Sequence, residues 1–289
     1  MKILVTGAGG QLAEELAACA RLRPSDQFVF LSRQQLDITH PRDVASVLAL
    51  HRPDFCINTA AYTAVDQAES DREHCFRVNA DAVQLLAKAC GENGVRFLHL
   101  STDYVFDGNG NRPYREEDPT APQGVYGASK RKGEELCLLS NPDAIIMRTS
   151  WVYSSYGNNF VKTMLRLMPE KETLRIVNDQ QGCPTYAADL AAAILHILDS
   201  GKWVPGLFHF CNEGVVTWFM FARQIREHCG FTTVLEPISS AEYPVPARRP
   251  FYSVLDTTRF HATWNFPIRS WNACLPECLE KLGCKTEAG

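Results

Sequence analysis

The sequence predicts an α/β fold: a doubly wound parallel sheet with a smaller C-terminal α/β lobe. The first two-thirds of the chain alternate short apolar or β-branched runs with longer helical patterns, the signature of βαβ units. The runs lack polar alternation, as strands covered on both faces do. A glycine-rich turn joins the first run to the first helical pattern, and the texture changes after Trp151.

The predicted strands are Ile3–Thr6, Phe28–Leu31, Phe55–Asn58, Arg96–Ser101 and Ile145–Thr149. Between them the apolar spacing predicts helices over Leu12–Arg21, Pro41–His51, Arg72–Asn93 and Tyr126–Leu139. Right-handed crossovers place such helices on both faces of the sheet. Residues 1–150 are therefore expected to form the sheet domain, completed by later segments, and residues 151–289 mainly a second lobe. In that lobe helices are expected around Phe160–Met168, Ala188–Leu198, Trp218–Cys229 and Ser270–Leu282. The segment Tyr243–Pro250 holds three prolines, cannot be helical, and is expected to cross the surface.

Composition narrows the function classes. The 289 residues are 45% hydrophobic and 21% charged, ordinary for a globular chain. A net charge of −4 gives no reason to expect nucleic acid or an anionic membrane as partner. No apolar run reaches the length of a membrane span, and the N-terminus reads as a strand rather than a signal peptide, so a cytoplasmic location is expected. The eleven cysteines are scattered and odd in number, which argues for reduced thiols. Cys274 and Cys278 are spaced for one helix face but have no second pair at zinc-site spacing, so no metal site is assigned.

The turn Gly7-Ala8-Gly9-Gly10-Gln11-Leu12-Ala13 follows a strand and opens a helix. Glycines at Gly7 and Gly10 permit a tight turn and close backbone approach to a pyrophosphate, and the helix N-terminus after them, at Gln11 and Leu12, offers free N–H groups. Dinucleotide binding in a Rossmann-type sheet follows from that context. After the second strand stand Ser32 and Arg33, suited to a 2′-phosphate. They favour NADPH, although Asp37, with Ile38 beside it, is near enough in sequence to reach the adenosine, and NADH use stays open. The loop after the third strand carries Ala60, Ala61 and Tyr62, where small side chains let a cofactor lie against the backbone. The fourth strand ends at Ser101-Thr102-Asp103-Tyr104, placing the Thr102 hydroxyl at the same crevice. Tyr126 and Lys130 lie four apart on one helix face. An ammonium beside a phenol lowers its pKa, which would make Tyr126 an acid or base near neutrality.

Together, Gly7-x-x-Gly10-x-x-Ala13, the Thr102 strand end and Tyr126-x-x-x-Lys130 resemble the pattern of extended short-chain dehydrogenases/reductases. More narrowly, the chain resembles the dTDP-4-dehydrorhamnose reductase family. The stretches that carry this are Asn58–Glu69, Ser101–Gly108, Tyr126–Lys130, Arg148–Tyr153, Asn158–Val161, Asp179–Thr185 and Ala247–Pro250 followed by Ser253 and Leu255. The resemblance implies NADPH-dependent reduction of the C4 keto group of dTDP-4-dehydro-β-L-rhamnose. It implies Thr102, Tyr126 and Lys130 as catalytic residues: Tyr126 the proton donor to the C4 oxygen, Lys130 the holder of the nicotinamide ribose, Thr102 the residue that orients the carbonyl. Tyr126 and Lys130 would thereby also touch the cofactor. Thr102, Asp103, Tyr104, Trp151 and Arg249 would contact the substrate, Arg249 through its diphosphate. The chain departs from the family at Ala13, Gln181 and Cys183. Some relatives hold magnesium between subunits, and Glu15 matches one such position; no full ligand set is evident, so Mg²⁺ and a homodimer stay open. Two alternatives remain: a reductase of another 4-keto nucleotide sugar, and a non-catalytic regulatory subunit of the methionine adenosyltransferase type.

Overall fold

A computed structural model describes residues 1–284. Six parallel strands form the central sheet: β1 (Lys2–Thr6), β2 (Gln27–Leu31), β3 (Phe55–Asn58), β4 (Arg96–Thr102), β5 (Ile145–Thr149) and a late strand, Gly206–His209. From one edge the order runs Gly206–His209, β5, β4, β3, β1, β2. The chain moves outward from β1 to β2, then crosses back to begin β3 on the other side of β1. That reversal opens a crevice at the carboxyl ends of β1 and β3, where doubly wound sheets bind ligands.

The sheet is covered on both faces, which explains its unbroken apolar strands. On one face α1 (Gln11–Ala20) packs Leu12 and Leu16 with Leu190, Ile194 and Leu198 of the helix Ala187–Asp199. On the other, α2 (Pro41–His51) contributes Val44 and Leu48 beside Val83, Leu86 and Cys90 of the helix Ala82–Glu92. A third core lies in the later chain, where Tyr153, Val161, Met164, Tyr186, Phe221 and Leu275 are buried together. Cys274 and Cys278 are fully buried there as well, and all eleven cysteines are free thiols. Among the described residues no helix is long and apolar enough to cross a membrane.

The predicted helix Arg72–Asn93 is not continuous. It breaks into α3 (Arg72–Phe76), a π-turn over Arg77–Asp81, and α4 (Ala82–Glu92). The reason lies at Asn79. Its Oδ1 accepts from the Tyr62 N–H at 2.8 Å, and its Nδ2 donates to the Tyr62 carbonyl and the Ser129 hydroxyl, both at 3.0 Å. The widened turn aims this side chain at the loop after β3, a use π-turns often serve.

The helix α5 (Val125–Ser140) lies against that turn. At Gly133 a Cβ would fall 2.1 Å from the Asn79 carbonyl oxygen, and at Gly127 a Cβ would fall 2.2 Å from that of Tyr104. Both contacts are with backbone, which cannot swing aside. We predict that Gly133→Ala destabilises the protein by about 1–3 kcal/mol, the usual cost of forcing a methyl into a packed site. Urea unfolding measures this; an unchanged midpoint would show that the helix can stand off freely.

Candidate active site

The glycine turn takes the shape the sequence requires. Gly7 has φ +75°, and a Cβ on it would lie 2.7 Å from the Ala60 nitrogen. Only glycine tolerates both that backbone and that neighbour. The turn, the N-terminus of α1 and the loop after β3 border a cleft of about 760 Å³. Gly7, Gly10, Gln11, Leu12, Arg33, Asp37, Ile38, Ala60, Ala61 and Tyr62 all line it. Ser32 does not: its hydroxyl is turned to Gln35 Oε1 at 3.0 Å. Asp37 accepts from the Thr39 N–H at 2.9 Å and hydroxyl at 2.7 Å. Those bonds, the hydroxyl's foremost, hold its carboxyl below the usual range. The second lobe also reaches the cleft, with Gly157 and Asn158 on its wall and Asn159 Nδ2 donating to Gln11 Oε1 at 2.8 Å.

Thr102, Tyr126 and Lys130 converge at the carboxyl end of β4. Thr102 is buried; its hydroxyl donates to Asp103 Oδ1 at 3.0 Å and accepts the Tyr104 N–H at 3.3 Å. Helix α5 starts where Glu69 Oε1 accepts the Val125 N–H at 2.9 Å, so a residue distant in sequence sets the position of Tyr126. The Tyr126 ring meets Tyr104 edge-on, with centroids 5.6 Å apart, and packs in the same apolar cluster as Tyr62 of the cleft wall.

One expectation is corrected here. The spacing of Lys130 from Tyr126 predicts a phenol made more acidic, yet the Tyr126 phenol is pushed above its ordinary range by burial, with only the nearby Thr102 hydroxyl pulling the other way. The Lys130 ammonium is turned to β4: Nζ donates to the Leu100 carbonyl at 2.5 Å and lies 3.3 Å from His99 Nε2. Burial draws Lys130 down to about 8, against the raising pull of Glu134. Desolvation outweighs the shared helix face for both groups. Asp103 responds in the same way, burial raising its carboxyl to about 6; its Oδ2 has no hydrogen-bond partner.

A second cavity of about 820 Å³ lies in the later chain. Its walls mix apolar groups, among them Phe160, Met164, Leu174 and Trp218, with Arg175, Arg248 and Arg249. Trp151 backs this wall rather than forming it. Its ring stacks on Trp218 with centroids 3.5 Å apart, and a Cβ on Gly182 would strike it at 2.5 Å. The non-helical segment around Tyr243–Arg249 borders the cavity. Arg249 Nη1 and Nη2 each lie 2.8 Å from an Asp66 carboxylate oxygen. The guanidinium expected on a diphosphate is thus held, in this structure, by a carboxylate beside the loop after β3. Glu15 is buried, accepting from the Ser154 hydroxyl at 2.6 Å with Lys281 at 3.8 Å. Among the described residues no three His, Cys, Asp or Glu side chains group to hold a metal.

Sequence reasoning did not assign Asn79, His99 or Glu69 a place at the site. None carries a local spacing signal; each acts across strands or loops that only the fold brings together.

The Asp66–Arg249 pair has a calculable pH signature. The Arg249 hydrogen bonds hold the Asp66 carboxyl below its usual range. A depressed carboxyl adds stability above its unfolded pKa, about 3.9, and loses it as pH falls through the folded value. Because the pair is partly exposed, we predict that Asp66→Asn costs only about 0.5–1 kcal/mol at pH 7. Denaturant melts should show the gap closing as pH falls below the unfolded value and through the depressed folded one; a gap that persists in acid would mean that Asp66 acts through something other than its charge.

The chain matches the family described as the RmlD substrate binding domain over residues 1–284. It is 44% identical over 280 residues to the dTDP-4-dehydrorhamnose reductase of Sinorhizobium fredii, covering 94% of each chain. The solved dTDP-4-dehydrorhamnose reductase of Clostridium acetobutylicum superposes with a TM-score of 0.94 at 37% identity, over 98% of this chain and 100% of that one. The Bacillus anthracis enzyme of the same name, in complex with NADP, gives 0.93 at 36% identity, over 97% and 99%. With matches that run nearly end to end in sequence and in fold, the chain belongs to the RmlD substrate-binding-domain family.

Proposed function

We propose that the protein is a reductase that uses NADPH to convert the C4 ketone of dTDP-4-dehydro-β-L-rhamnose to the alcohol of dTDP-L-rhamnose, the last step of dTDP-L-rhamnose biosynthesis. The observation that carries the reading is the meeting of Thr102, Tyr126 and Lys130 at one strand end. Tyr126 packs in one apolar cluster with Tyr62 of the glycine-turn cleft, and the later chain holds a cavity lined by aromatic and arginine side chains. Residues 1–150 would hold the cofactor and residues 151–289 mainly the nucleotide sugar.

The residues lining the cleft fit a dinucleotide. Gly7 lets the turn pack on the Ala60 backbone, the side-chain position of Gly9 faces open space where a pyrophosphate can approach, the first N–H groups of α1 border the cleft, and exposed Arg33 suits a 2′-phosphate better than the hydroxyl of NADH. Bound there, the nicotinamide supplies the hydride. The chain's own residues manage the charge that follows. Tyr126, raised by burial, keeps its proton at neutral pH until the ketone oxygen becomes basic, and then donates it. Thr102 would turn its hydroxyl proton from Asp103, which accepts it in this structure, to the ketone oxygen and so hold the carbonyl in line. Lys130 brings a positive charge to the cofactor side of that oxygen. Trp218, stiffened by Trp151, offers a flat apolar face to a base, and Arg249 would exchange Asp66 for the diphosphate.

A panel of 4-keto nucleotide sugars assayed with NADPH and NADH tests the reading. Turnover is expected to be fastest with dTDP-4-dehydrorhamnose and NADPH, and Tyr126→Phe should lower kcat by about 10²–10⁴-fold while leaving NADPH binding intact. Faster turnover of another keto-sugar would reassign the substrate, and an active Tyr126→Phe enzyme would remove the acid role.

A further inference from the structure

A row of polar side chains crosses three adjacent strands beneath the site. Thr6 on β1 is in register with Asn58 on β3, and Asn58 with His99 on β4. Thr6 Oγ1 lies 2.6 Å from Asn58 Oδ1, Asn58 Nδ2 lies 3.0 Å from His99 Nδ1, and His99 Nε2 lies 3.3 Å from Lys130 Nζ. None of the four residues is more than 2% exposed. Bulk water therefore does not reach these groups, and protein partners, most of them within the row, satisfy them.

A neutral imidazole has one donor and one acceptor, and an ammonium can only donate. When Lys130 is charged, His99 Nε2 must accept, Nδ1 must carry the proton, and Asn58 must turn its carboxamide oxygen toward His99. When Lys130 is neutral its nitrogen can also accept, and every bond in the row can reverse: Nε2–H donates to Nζ, Asn58 Nδ2 donates to Nδ1, and Thr6 donates to Asn58 Oδ1. The amide orientation seen here is the second of these. His99 itself stays uncharged, since burial and the facing Lys130 hold it well below its ordinary range.

We propose that His99 is a positioning residue for Lys130, and that the Thr6–Asn58–His99 row couples the charge of Lys130 to the tautomer of His99, the ammonium being accepted by Nε2 once the Asn58 amide turns over. The inference rests on the role given to Lys130 above. The other groups facing Lys130 do not substitute for His99. On its own helix, Glu134 is already paired with Arg148 at 2.7 Å and accepts the Ser101 hydroxyl at 2.5 Å. Cys137 of α5 and Cys75 of α3 are thiols, and the Leu100 carbonyl is the second acceptor. The Phe97 ring stacks on His99 with centroids 6.4 Å apart.

The charged form of Lys130 is the active one, so the rate falls as pH rises through its value of about 8. His99→Leu removes the acceptor and should move this alkaline limb of kcat/KM down by about one pH unit. His99→Gln keeps an amide oxygen within reach and should hold the limb near its wild-type position. A limb unmoved in His99→Leu, or moved equally in both variants, would overturn the proposal, because a purely structural role predicts either pattern. A second measurement needs no turnover: ¹⁵N NMR of the histidine rings, with the His99 signals assigned by their loss in His99→Gln. The ring is expected to remain neutral through the ordinary imidazole range and to exchange tautomers near the Lys130 value, a step that Lys130→Met abolishes. An ordinary imidazole titration near pH 6.5, or one tautomer throughout, would contradict it. If Lys130→Met retains full turnover, the role given to Lys130 fails, while the NMR step still decides the coupling to His99.

Discussion

Helix α5 meets its neighbours backbone to backbone, and the geometry of the site depends on that approach. Gly127 and Gly133 leave no room for a Cβ against the carbonyls of Tyr104 and Asn79. Side chains at either place would hold the helix away from the strand end and separate Tyr126 from Tyr104. Other contacts fix the helix along its length. Glu69 caps its first turn, Lys130 is tied to β4, and Glu134 makes two hydrogen bonds, at 2.8 and 2.7 Å, with Arg148 of β5. That last pair is almost fully buried. Its net contribution to stability is small, but loss of one partner strands the other as an unpaired buried charge, so it defines one seating of the helix against the sheet.

Burial acts in opposite senses on the two titrating groups that this seating brings together. It raises the Tyr126 phenol and lowers the Lys130 ammonium. For a proton donor the first shift is useful, because the phenol arrives protonated and gives up its proton only to an oxygen that has become strongly basic. The second shift works against the charge proposed for Lys130, and Glu134 on the same helix opposes that shift. The same dry setting that penalises the ammonium makes its field effective at short range. On the cavity side, Arg249 rests on Asp66, so a guanidinium lies at the mouth without being left unpaired.

Much of this was legible in the sequence. The strand Phe55–Asn58 and the helix Pro41–His51 stand where apolar pattern and flanking residues put them. The glycine turn signals its ligand class through its place between strand and helix. What escaped were interactions that local spacing cannot encode. The pattern of Arg72–Asn93 is compatible with one helix, and only the partners of Asn79 explain the π-turn. His99 reads as one polar residue in a buried strand until Asn58 and Lys130 are brought beside it. Glu69 caps a helix 56 residues further on. Trp151 and Trp218 stack across 67 positions of sequence. The Tyr126 shift runs against the helical spacing because spacing reports which residues share a face and says nothing of how dry that face is.

The central claim is that hydride reaches C4 of the sugar while the proton comes from the protein side, and isotope transfer tests it most directly. The enzyme would be given dTDP-4-dehydrorhamnose and NADPH deuterated at the transferable C4 position of the nicotinamide, with the product examined by NMR and mass spectrometry. The account predicts one deuterium per product, located at sugar C4, and one oxidised cofactor released for each. Product without deuterium at C4, or deuterium that returns to the cofactor within a turnover, would contradict it and place the chemistry in another class.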